Sequence, residues 1–135
     1  MEKIELKRTR DFDLPSGVLA AAVSSDASEA VVGCLHGVYR LNLESGEHER
    51  LYQHESYVSS VAWFGDQRVI TTGYDGEVRW FDLGTNALVR RQKIHDFWSW
   101  DMALSPDQHW IASVTGQYIA GVYKHEPQAE REPTI

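Results

Sequence analysis

Two stretches of this chain can be laid one above the other at a spacing of about 40 residues: HESYVSSVAWFGDQRVITTGYDG from His54 and HDFWSWDMALSPDQHWIASVTG from His95. His54 meets His95, Val61-Ala62 meets Met102-Ala103, and Asp66-Gln67 meets Asp107-Gln108. Val69-Ile70-Thr71-Thr72 meets Trp110-Ile111-Ala112-Ser113. A weaker copy lies earlier, in VLAAAVSSDASEAVVGCLHGVYRLNLESGE, with Ala21-Ala22 under Val61-Ala62, Asp26 under Asp66, and RLNLESG under WFDLGTN. A period of this length is the strongest constraint on the fold. Each copy must be one small unit that cannot bury its apolar face alone, so neighbouring copies have to stack.

Helical periodicity is absent. Short runs rich in β-branched and aromatic residues recur instead, separated by Gly, Ser, Asp and Asn. They predict strands at Ile4–Thr9, Val18–Val23, Ala30–Cys34, Val38–Leu43, Glu49–Gln53, Val58–Trp63, Arg68–Thr72, Val78–Asp82, Leu88–Lys93, Ser99–Leu104 and Trp110–Val114. Asp75-Gly76 between two alternating runs predicts a tight hairpin with positive φ at both residues. The chain is expected to be all-β, with about four strands per repeat. A four-stranded sheet at this period, with a His near its start and an aromatic-Asp pair late, is the unit of a propeller blade.

These residues carry a resemblance to the WD40-repeat propellers. It is best over residues 54 to 94: His54 at the place of the Gly-His signature, DQRVITTGYDGEVRWFDL across the two central strands, and Phe81-Asp82 in place of Trp-Asp. Residues 95 to about 116 carry half a match, and residues 14 to 53 match in pattern but lack the His. The resemblance implies a partial β-propeller of four-stranded antiparallel blades, read as one repeat region. Its units are 14–53, 54–94 and 95–135, preceded by a strand segment at 1–13.

In such propellers a His, a Ser or Thr, an Asp and a Trp form a hydrogen-bonded chain. The resemblance places His54, Thr72 and Asp75 in it, with His95 as the repeat of His54 and Asp82 after the aromatic. The Trp position falls on Phe81, which has no donor to finish the chain, while Trp80 faces the other side of its strand. The role is structural, because a buried Asp and His must be paired. The family's binding face, formed by the loops before the first strands and by the central turns, corresponds to Glu55, Tyr57, Tyr74, Asp96 and Trp98. The segment IHDFWSWDMAL is the densest aromatic patch; it serves either blade packing or recognition, since Trp and Tyr dominate binding hot spots.

Little points to chemistry. No nucleophile elbow, paired metal-ligand spacing or phosphate loop is present, and the six histidines are scattered. No catalytic residue, cofactor or metal is therefore expected. The net charge of −7 argues against nucleic acid as the main partner. The basic stretches Lys7-Arg8-Thr9-Arg10 and Arg90-Arg91-Gln92-Lys93 read as solvated strand edges. Cys34, the one cysteine, lies in the apolar run AVVGCL and is expected to pack as a small hydrophobe. No apolar run approaches bilayer length. The expectation is a cytoplasmic scaffold that binds protein partners of unknown identity and not membranes. The alternative is a piece of a propeller enzyme, of hydrolase or lyase type, whose site lies in other blades.

Propellers close with about four to eight blades. Three repeats, the last without its aromatic-Asp pair, predict open edges and unshared faces, which are sticky. A fragment of a longer ring, an oligomer that closes through self-association and an open stack are the three outcomes. The segment 116–135 reads either as a degenerate strand and tail or as a long loop.

Overall fold

The computed structural model describes residues 4, 5 and 7–115. Ten strands follow in order: β1 (Val18–Val23), β2 (Glu29–Cys34), β3 (Gly37–Asn42), β4 (His48–Tyr52), β5 (Val58–Phe64), β6 (Arg68–Gly73), β7 (Glu77–Asp82), β8 (Ala87–Lys93), β9 (Ser99–Leu104) and β10 (Ile111–Thr115). Sequential antiparallel pairing builds two four-stranded sheets, β1-β2-β3-β4 and β5-β6-β7-β8, and a two-stranded sheet of β9 and β10. The described residues are all-β, in blades of the expected kind. The alternatives for 116–135 lie outside the described residues.

Alternation decides which side chains join the sheets. On β2, Val31 faces the second sheet and packs with Val38, Val58, Val61 and Val69. Its neighbours Ala30, Val32 and Cys34 face the other way with Tyr39 and Leu41. The second sheet repeats this: Val69 turns toward the first sheet, and Ile70 turns toward Met102 of the third. The middle sheet is thus covered on both faces. Gly33 is required at the first junction, because a Cβ there would lie 2.7 Å from Val58 Cγ1. Trp63 ties the same junction by donating its indole N–H to the Ala22 carbonyl at 2.9 Å. Burial pushes the Cys34 thiol up, as for a packed hydrophobe.

The three first strands share an irregularity. Register slips between Val18 and Ala20, between Val58 and Ser60, and between the β9 partners of Val114 and Thr115. Each first strand therefore bulges at one residue, Leu19, Ser59 or Trp100. A bulge re-aims a side chain at the end of a ladder, and here it recurs at the same rim of all three sheets.

Three expectations are corrected. Residues 4, 5 and 7–9 are not in a strand: a strand needs a partner ladder, and no described strand lies beside them. Phe12 and Leu14 instead pack on the face of the first sheet that carries Val32 and Leu41. They stand forty residues before Tyr52 and His54, which close the second sheet in the same way. At the Asp75 hairpin only Gly76 has positive φ, at 73°. The loop has three residues rather than two, with a Gly76 N–H to Gly73 carbonyl bond of 2.9 Å, so the left-handed position falls only on the Gly. Finally, the repeats do not keep constant spacing. Phe64 pairs Arg68 across a three-residue turn, whereas Ser105 bonds Trp110 across four. Val61 is opposite Thr71 and Met102 is opposite Ser113. Thr71, not Thr72, is therefore the structural match of Ser113.

The outer turns explain that difference. In the first and third sheets, Ser24 and Ser105 donate to Asp26 and Asp107 at 2.7 and 2.5 Å. The residue after each Asp is left-handed, Ala27 at 58° and Gln108 at 60°. Hydrogen bonds from Ser24 and from Ser28 hold the Asp26 carboxyl down at about 2. The middle sheet lacks the Ser and turns one residue sooner through Gly65, at φ 62°.

Candidate interaction surface

Beneath the candidate surface lies a buried polar chain. His54, 2% exposed, sits on the linker between β4 and β5, at the seam of the first two sheets. Its Nδ1 is 2.9 Å from Asp75 Oδ2, and its Nε2 is 2.8 Å from Thr71 Oγ1. The Tyr52 hydroxyl is 2.7 Å from the same Thr71 oxygen. A carboxylate only accepts, so with one ring proton the directions follow. Tyr52 donates to Thr71, Thr71 donates to Nε2, and Nδ1–H donates to Asp75. The missing donor at Phe81 is thus supplied by Tyr52 on the neighbouring sheet, whose ring stacks on Phe81 with centroids 4.9 Å apart.

Thr72 is not in this chain. Thr71 pairs with Arg79 and shares a face with Val69 and Phe81, whereas Thr72 pairs with Val78 on the opposite face. The Thr72 hydroxyl lies 3.3 Å from Ser59 Oγ. Asp82 stands apart as well: its carboxylate accepts from the Thr85 N–H at 2.9 Å and from Arg68 at 3.3 Å, closing the β7–β8 turn. His95 repeats His54 in the third sheet, with Nε2 3.0 Å from Ser113 Oγ, which is 2.8 Å from Ser99 Oγ. The first sheet places apolar Leu14 near Val32 at the equivalent point.

Charges extend the chain toward the surface. Arg79, 5% exposed, reaches Asp75 at 3.1 Å, Glu77 at 2.8 Å and the Gln53 carbonyl at 2.5 Å. Arg91 closes on Glu77 at 2.6 Å and lies 3.6 Å from Glu55. Burial acts to raise Asp75, but the hydrogen bond and electrostatic pull of His54, with the N–H groups of Glu77 and Glu55, hold it below the usual carboxylate value. Glu77 is likewise raised by burial and brought below its usual value by Arg91 and Arg79. Burial pushes the Tyr52 phenol well up, so it stays a donor. Tyr52, Thr71, Arg79 and Glu77 escaped the sequence reading. The position two residues before each His and the alternation on β6 were the available signals.

Above this network the structure gathers the predicted aromatics into a row that crosses the sheets. Tyr57 lies 5.6 Å from Tyr74, and Tyr74 stacks on Trp98 at 5.3 Å with ring planes 16° apart. Trp100, at the bulge of β9, stands edge-on to both, at 5.5 Å from Tyr74 and 5.8 Å from Trp98. His36 of the first sheet's central turn extends the row to 6.4 Å from Tyr57. Tyr57, Trp98 and Trp100 remain about two-fifths exposed. Glu55 and Asp96 are exposed on the linkers that also carry His54 and His95. Gly76 fixes the row: a Cβ there would lie 2.3 Å from the His95 carbonyl and 2.6 Å from that of Phe97. The Tyr74 turn can therefore press against the linker bearing Trp98.

Four-stranded antiparallel blades, stacked face to face with a His-Thr-Asp chain at the seam, define a segment of a WD40-type propeller. Residues 46–82 match the family model described as WD domain, G-beta repeat, and the same antiparallel strand order recurs in the sheets on either side of that repeat. The chain is similar to Telomerase protein component 1 of Rattus norvegicus, 32% identical over 119 residues that cover 84% of this chain. It is also similar to Telomerase protein component 1 of Mus musculus, 30% identical over 116 residues and 84% of the chain. In both cases the match spans 4% of the relative's length.

Proposed function

We propose that the chain is an interaction scaffold without chemistry of its own. Its repeat units 14–53, 54–94 and 95–135 would act as one region that presents the Tyr57-Tyr74-Trp98-Trp100 row to a protein partner. The observation that carries this reading is the row itself. Four large rings from three loops and one bulge are held together and left partly in water, although the fold buries comparable side chains nearby. Such rings are costly to leave wet and are the residue types that anchor interfaces. The buried charges below them are paired to one another, which suits a support for the surface better than a reacting group. The relatives are named as a protein component of telomerase, and a scaffold that holds parts of an assembly together fits such company.

The test is retention of partners from cell extract by the full chain, compared with Trp98→Ala and with Trp110→Ala. Trp110 is 74% exposed and outside the row. Loss of the retained proteins with the first variant alone, at unchanged melting behaviour, is expected. Equal retention by both variants would exclude the row as the binding surface.

A further inference from the structure

We propose that the aromatic row recognises an extended segment bearing arginine, whose guanidinium lies flat on the outward face of Trp98. This rests on the reading of the row as a binding surface and adds the chemistry of its occupant. The stacked rings are only 5.3 Å apart between centroids, so nothing fits between them. The row is therefore no cage for an inserted group, and a ligand must use outward faces and the corner that Trp100 makes with the pair. Ring faces carry the negative end of the aromatic quadrupole and favour a planar cation.

The surrounding charge points the same way. Three cations beneath the Tyr74 turn are already engaged. Arg79 is held by Asp75 and Glu77, and Arg91 by Glu77 and Glu55. Lys93 donates to the Asp75 carbonyl at 2.6 Å. Glu55, with its side chain 75% exposed, and Asp101, exposed beside Trp100, add negative charge at the rim. A chain of net charge −7 adds a field that repels phosphates and attracts cations. The protein makes the same contact within itself: the Arg90 guanidinium carbon sits 4.7 Å from the centre of the Trp80 ring.

The experiment is calorimetric titration of the full chain with four probes of equal length. They are a Gly/Ser peptide carrying two arginines, the same peptide with citrulline in their place, a proline-rich peptide and an oligothymidylate. Citrulline keeps the shape of arginine and removes its charge. Binding of the arginine peptide is expected, weaker by about tenfold or more for citrulline, a loss of about 1.4 kcal/mol. Trp98→Ala should abolish it and Trp110→Ala should leave it intact. Equal binding of the citrulline peptide, or tighter binding of the proline-rich peptide or the oligonucleotide, would overturn the proposal. If no probe binds while Trp98→Ala still removes partners from extract, the arginine assignment falls and the surface stands. If Trp98→Ala leaves extract partners unchanged as well, both fall.

Discussion

The Tyr52 hydroxyl lies 2.7 Å from Thr71 Oγ1, across the seam between the first two sheets. That bond makes the polar chain of the middle blade an inter-blade connection. One of its donors belongs to the outer strand of the preceding sheet, while His54 and Asp75 belong to the linker and turn of the next. The seam is thereby tied by directed bonds as well as by its valine cluster.

Removing that hydroxyl leaves the Phe81 stack in place and strips one donor from a buried oxygen. Tyr52→Phe is expected to lower stability by about 1–2 kcal/mol, within the range for a lost buried hydrogen bond. Urea denaturation of the full chain measures it. An unchanged midpoint would show that Thr71 has another donor.

The one-residue difference in the outer turns makes two adjacent threonines unequal. Thr71→Val breaks contacts to both His54 and Tyr52 and should cost about 2–3 kcal/mol. Thr72→Val loses a single 3.3 Å contact with Ser59 and should cost about 1 kcal/mol or less. Parallel denaturation of the two variants checks the register directly. Equal costs would return the chain to the constant-spacing alignment.

Acid should loosen the seam. Asp75 has a folded pKa below its unfolded value of about 3.9. The unfolded state therefore takes up the proton first as pH falls. The stability that the carboxylate contributes is fully present above that unfolded value and is lost as pH drops through the folded one. Stability measured from pH 6 down to pH 3, with the pH values chosen about the carboxylate range, should fall more steeply for the native chain than for Asp75→Asn. Parallel curves would remove Asp75 from the account.

Gly76 combines positive φ with a carbonyl 2.3 Å from where a Cβ would stand. Gly76→Ala should cost more than the roughly 1 kcal/mol of a left-handed alanine alone, because the His95 linker must move. It should also blue- or red-shift tryptophan emission, as Trp98 rides on that linker. A stability change under about 1 kcal/mol with unaltered emission would show that the linker yields freely.

The sequence by itself determined the strands and their grouping. Val18–Val23 and Ser99–Leu104 were legible to the residue, because period-two alternation and turn residues act locally. The resemblance to WD40 propellers, carried by those repeats, implied that Tyr57, Tyr74 and Trp98 would share one rim, and the rings do meet there. What only the tertiary structure decided is which neighbours complete the buried chain. The choice of Thr71 over Thr72 depends on a shortened turn, and the donor at Phe81 comes from Tyr52 on another sheet. Residues 4, 5 and 7–9 alternate like a strand yet form none, because strand structure requires a partner ladder that local pattern does not supply. Pairing across sheets is fixed by register and stacking. Those are properties of two segments together, and neither segment encodes them alone.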